Sequence, residues 1–325
     1  MRIRHCVAVS FAAGVIGLVA CGGSPGSSCG SYFDSLVAAE QKCDPGVQID
    51  TSVKANFETY CDKSLAKASG TNNLAGQISN CASLVQNYSC GASLNCKVAG
   101  TLPDGTACGV APQCSGALCD TKNSTAIPNS EVVCGKCASY LAVGAQCGTT
   151  GGGSCDSSTS SCTNGTCVAL AQQGQSCATA ECTGGLLCDP QAKTCQPLPT
   201  KGAACPSFEC QAPYRCVSGT CADAVQAGGA CPTGAECAGG LTCDQLTKTC
   251  KAPTLAPAGQ PCGFVQNQIV DCQTGLRCQQ GTTGQGTCIV PKHAGEACAV
   301  GKGECASFLF CINGTCTVPD YSVCQ

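Results

Sequence analysis

Thirty-eight cysteines in a chain of 325 residues constrain this fold more than any other feature. So many thiols are a liability in a reducing cytosol and become crosslinks in an oxidising compartment. Aromatic residues make up only 4%, tryptophan is absent and methionine occurs once, so a large aliphatic-aromatic core cannot be assembled. Crosslinks must substitute for it by constraining the unfolded chain, at roughly 2–4 kcal/mol per bridge. The expected class is a small disulfide-rich fold.

The cysteines are periodic. A Gly-x-x-Cys signature recurs at Gly105–Cys108, Gly144–Cys147, Gly174–Cys177, Gly202–Cys205, Gly228–Cys231, Gly259–Cys262 and Gly295–Cys298. Turn-plus-apolar pieces such as Gly184-Gly185-Leu186 and Gly239-Gly240-Leu241 precede the third cysteine, and a threonine precedes most fourth ones. Asn164-Gly165 and Asn313-Gly314 are strong two-residue hairpin signals. Each unit is therefore expected to be a short β-hairpin clamped by two bridges.

The phase of the repeat follows from its ends. Units that begin at the Gly-x-x-Cys cysteine would strand Cys324, which would need a partner at the far end of the array. Units that close on that cysteine instead give seven complete sets. These are Cys114, Cys119, Cys137, Cys147; Cys155, Cys162, Cys167, Cys177; Cys182, Cys188, Cys195, Cys205; and Cys210, Cys216, Cys221, Cys231. Cys237, Cys243, Cys250, Cys262; Cys272, Cys278, Cys288, Cys298; and Cys305, Cys311, Cys316, Cys324 complete them. This second phase is the expectation, with Cys108 and Cys134 left over and the pairing inside a unit open among three possibilities.

Ahead of the array, residues 29–100 hold Cys29, Cys43, Cys61, Cys81, Cys90 and Cys96 at wide intervals, with helical periodicity. Tyr32, Phe33, Leu36 and Val37 mark one stripe; Val53, Phe57, Tyr60, Cys61 and Leu65 a second; Leu74, Ile78, Cys81, Val85 and Tyr88 a third. Asp50 or Thr51 is the expected cap of the second helix, and Asn72 or Asn73 of the third. Residues 1–20 are a basic start followed by a short apolar run, which reads as a signal peptide. Its end, Leu18-Val19-Ala20-Cys21, resembles the lipobox of bacterial lipoproteins, which implies acylation of Cys21 and an outer-membrane destination; the Gly- and Ser-rich composition of 21–28 reads as a flexible tether. Removing Cys6 with the leader and Cys21 with the lipid leaves 36 cysteines, an even number.

The repeat over 101–325, clearest at Cys182–Cys195 and Cys237–Cys250, resembles the Dickkopf N-terminal cysteine-rich domain. The resemblance implies a fold style and protein binding; no receptor-contact motif carries over. The complete expectation is a three-helix disulfide-tied domain followed by an elongated tandem array of short β-hairpin modules.

Catalytic chemistry finds little footing. Beyond the leader there is one histidine, His293, in a Pro-Lys-His-Ala-Gly linker, where a nucleophilic site would need it fixed by a third group. Cys134-Gly135-Lys136-Cys137 has the spacing of a redox dithiol but lacks the helix-start setting of that chemistry. Zinc would need a second close pair, and no other C-x-x-C exists. Asp120, Asp189 and Asp244 each follow a third cysteine, where local turn hydrogen bonds are expected. Without its leader the chain has a net charge near −5 and two arginines, Arg215 and Arg277, which disfavours nucleic acid. The sequence thus points to a non-enzymatic envelope lipoprotein without a cofactor, serving binding, adhesion or surface structure. A multi-module protease inhibitor is the alternative, with Pro206-Ser207-Phe208-Glu209 as its candidate loop, and a thiol-disulfide oxidoreductase through Cys134 and Cys137 comes third. Binding residues are expected on the variable loops Thr121–Val133, Cys147–Cys155 and Cys262–Cys272.

Overall fold

The computed structural model describes residues 25–44, 53–88, 90, 96–148, 153–232, 236–265, 268–280 and 285–324. The leader, Cys21 and the candidate cap residues Asp50 and Thr51 lie outside them. The described residues form a small disulfide-rich fold with 18 bridges, few helices and many short hairpins.

Helix α1 spans Pro25–Cys43, so the part of the expected tether from Pro25 onward is helical, with proline supplying its favourable first-turn geometry. Helix α2 covers Lys54–Tyr60 and widens into a π turn over Cys61–Leu65, where Ala66 N–H reaches back five residues to the Cys61 carbonyl. Helix α3 runs Leu74–Gln86. Its N-cap is Asn73, but the side chain makes no capping bond; the residue instead turns the chain in the left-handed region, at φ 45°, which asparagine tolerates. The three helices bury Phe33, Phe57, Leu65, Leu74, Ile78 and Val85 around one core. Cys29–Cys61, Cys43–Cys90 and Cys81–Cys96 tie them together.

Seven modules follow, and their pairing corrects the expected phase. Each begins at its Gly-x-x-Cys cysteine and joins first to third and second to fourth. Module 1 has Cys108–Cys119 and Cys114–Cys137, and module 2 has Cys147–Cys162 and Cys155–Cys167. Module 3 has Cys177–Cys188 and Cys182–Cys195, and module 4 has Cys205–Cys216 and Cys210–Cys221. Module 5 has Cys231–Cys243 and Cys237–Cys250, and module 6 has Cys262–Cys278 and Cys272–Cys288. Module 7 has Cys298–Cys311 and Cys305–Cys316.

Backbone hydrogen bonds explain why the glycine belongs to the cysteine after it. In all seven modules that glycine has positive φ, between 79° and 90°, which an L side chain rarely adopts. Its N–H donates to the carbonyl of the same module's fourth cysteine, as in Gly174 to Cys195 (2.8 Å) and Gly228 to Cys250 (2.7 Å). The fourth cysteine's N–H returns to the residue after the glycine, as in Cys195 to Gln175 (2.8 Å). Third and fourth cysteines face each other across an antiparallel hairpin, for example Cys188 opposite Cys195 and Cys311 opposite Cys316. The threonine before the fourth cysteine pairs with the residue before the first, as in Ser176 with Thr194.

Module 6 is larger. Its sheet has five strands in the order Thr254–Ala256, Gln268–Cys272, Pro261–Val265, Gln285–Ile289, Arg277–Gln280. The first pair is parallel and the rest antiparallel.

The array is not an open rod. Cys324, stranded by the observed phase, bonds Cys134 across 190 residues, so the covalent path from module 1 through module 7 closes on itself. The expectation went wrong because it treated every bridge as local.

Candidate interaction surfaces

Cys134 and Cys137 sit in two different bridges, to Cys324 and Cys114, so their spacing does not make a dithiol. Stacked bridges crowd their sulfurs, with those of Cys108, Cys114 and Cys137 all within 4.8 Å, but each is held in a disulfide and offers no thiolate to a metal. His293 is exposed, and its backbone N–H donates to the Glu296 carboxylate.

The aspartates act as turn formers. Asp189 Oδ1 accepts from Gln191 N–H (2.8 Å) and Ala192 N–H (2.7 Å), and Asp120 Oδ1 from Lys122 N–H (3.0 Å). Asp244 does the same with Leu246 and Thr247 and also meets Lys251 Nζ at 2.6 Å. The lysine first, and then the Leu246 N–H, hold its carboxyl down to about 2. At Asp156, burial pushes the pKa up, but hydrogen bonds from Lys97 and Ser158 outweigh it and leave the group lowered. The Asp156–Lys97 ion pair also joins module 2 to the segment after α3.

Of the three variable loops, Thr121–Val133 is used inside the molecule. Glu131 accepts from Gly301 N–H (3.1 Å) through one carboxylate oxygen and from Cys311 N–H (2.8 Å) through the other. Asn129 carbonyl takes Asn313 N–H (2.7 Å), and Ile127 and Val132 join the helical core. The loop therefore docks module 7 onto module 1. Residues 149–152 of the Cys147–Cys155 loop lie outside the described residues.

The Cys262–Cys272 loop builds the extra hairpin of module 6. Phe264 stands opposite Ile269, and Leu255 opposite Asp271. Because side chains alternate along a strand, Leu255, Phe264 and Ile269 share one face. They are 51%, 57% and 38% exposed. Ala256 and Val270 pack on the other side, against the module's cysteines.

The Cys205–Cys210 loop is folded as a turn. Phe208 N–H donates to the Cys205 carbonyl (3.0 Å), and Phe208 lies at φ 59° with its ring 66% exposed. A small cleft beside it, of about 180 Å³, is lined by Leu198, Glu209, Tyr214 and Arg215. Arg215 reaches Asp44 at the end of α1, an ion pair shielded from solvent on the arginine side.

Sequence reasoning missed the residues that join regions: Glu131, Arg215, Phe308 and Tyr321. Only Phe308 carried a readable signal, since it stands where modules 3, 5 and 6 have glycine. No family model, no curated protein and no solved structure matches this chain. No helix among the described residues is long and apolar enough to cross a membrane.

Proposed function

We propose that this protein is a non-enzymatic scaffold of the cell envelope, anchored through acylated Cys21. A small three-helix unit near the membrane would carry the stapled modules outward, for surface structure and protein display. The carrying observation is the covalent framework: 18 bridges that place almost every described segment close to a crosslink, and one that closes the whole array. Such a framework suits an oxidising exterior rich in proteases, because cleavage of one loop leaves its ends tied. The lipobox-like leader supports the anchoring.

The test is the intact mass of protein extracted from envelopes, with thiols alkylated before and after reduction. A lipid increment on Cys21, no thiol labelled before reduction and 36 after is the expected result. Free thiols in the extracted protein, or an unmodified Cys21, would sink the reading. The protease-inhibitor alternative draws support from Phe208, an exposed ring on a turn clamped by Cys205–Cys216 and Cys210–Cys221. Slowing of a protease that is lost on Phe208→Ala would favour it; a panel of proteases untouched by the intact chain would retire it.

A further inference from the structure

Between the second and third cysteines, modules 3, 5 and 6 make the same tight turn. Leu186, Leu241 and Leu276 return their N–H groups to Thr183, Ala238 and Gln273, and the residue before each leucine is glycine at φ 84°, 76° and 82°. Module 7 repeats the turn, Leu309 N–H to Ala306 carbonyl at 3.0 Å, but places Phe308 at the glycine position, at φ 67°. Bulky residues rarely enter that backbone region, and where one does, the surrounding structure must hold it there.

What holds Phe308 is the helical region. Its ring centroid lies 5.0 Å from that of Phe57 and 5.8 Å from that of Tyr60, tilted against both. Tyr60 Oη in turn hydrogen-bonds Tyr321 Oη at 2.8 Å. The Tyr321 ring passes so close to Gly109 that a Cβ there would come within 2.4 Å of it. Tyr321 opens the short 3-10 turn that ends at Cys324, the partner of Cys134. A continuous set of contacts therefore runs from Phe308 to the closing bridge.

We propose that the notch formed by Phe57 and Tyr60 is a docking site for an aromatic turn, and that Phe308 is its plug. The plug seats module 7 on the helices, and this seating, with Tyr60 and Tyr321, sets Cys324 against Cys134. Phe308 is thus a positioning residue for ring closure, kept at a site where the module's own turn favours glycine.

The decisive variant is Phe308→Gly, which suits the local turn and removes only the plug. The full-length chain is refolded in a glutathione redox buffer, quenched with an alkylating agent and mapped by peptide mass. Cys298–Cys311 and Cys305–Cys316 should form as completely as in the wild type. Labelling of Cys134 and Cys324 as free thiols should rise at least about ten-fold, the change produced by about 1.4 kcal/mol of lost docking. Wild-type closure of Cys134–Cys324 in the variant would overturn the proposal. So would loss of the two module 7 bridges, because Phe308 would then serve its own module and not the notch.

Discussion

The helical region and the modules use disulfides in opposite ways. In the helical region three bridges span 15 to 47 residues and staple a core that exists in its own right, with Ile78 and Val85 fully enclosed among aromatic and aliphatic neighbours. In module 4 the buried cluster is Cys205, Cys216 and Cys221 with little else, so the bridges are themselves the core. Thirteen of the module bridges span only 11 to 16 residues, which contributes roughly 3 kcal/mol each by loop closure. One region would keep a reason to be compact without its crosslinks; the other would not.

That contrast can be broken by experiment. Ile78→Ala empties a fully buried site and should cost about 2–5 kcal/mol, confined to the helices. Amide exchange should quicken across α1 and α3 and stay unchanged in modules 3 to 6; spread into those modules would mean that the regions do not fold separately. Replacing Cys177 and Cys188 together by serine should cost roughly 3 kcal/mol and open module 3 alone, seen as new protease cuts between Gly174 and Cys195. Gly174→Ala keeps both bridges but forces alanine to φ 79°, at about 1–2 kcal/mol. It should weaken the hydrogen bond to the Cys195 carbonyl, giving faster exchange of residue 174 at unchanged bridge content.

The smallest effect is electrostatic. Asp244 in the folded chain titrates at about 2, below the usual aspartate value of about 3.9. A depressed pKa contributes stability that is complete above the unfolded value and is lost as pH falls through the folded one. The wild type should therefore lose its advantage over Asp244→Asn between pH of about 4 and 2, as followed by thermal melts. A difference that is constant across this window would show that Lys251 and the turn amides do not hold the carboxylate.

The local features were legible because they are written in short segments. The three helices followed from stripes such as Leu74, Ile78, Cys81 and Val85, and the hairpins from Asn164-Gly165 and the threonine before the fourth cysteine. Module phase was misread although its decisive marker was in view. The positive-φ glycine of Gly-x-x-Cys bonds to the fourth cysteine downstream, but this is a hydrogen bond and leaves no trace in cysteine counts. Arguing instead from a stranded Cys324 assumed that no bridge could join sequence-distant ends. Glu131 could not have been found, since it acts by holding the Gly301 and Cys311 amides, 170 and 180 residues away. Phe308 could have been, by aligning its turn with those of modules 3, 5 and 6 and asking why it lacks their glycine.

Closure also makes the molecule a counter. Every module pairs its own four cysteines first to third and second to fourth, so by that criterion alone one more or one fewer would be equally acceptable. The two ends of the array are compared by the Cys134–Cys324 bond and by the Glu131 and Asn129 hydrogen bonds beside it. A gene duplication or deletion that changed the number of modules would leave each unit sound while moving one end of the ring away from the other. The unpaired sulfurs would register the error, so ring closure makes the length of a modular chain something selection can act on.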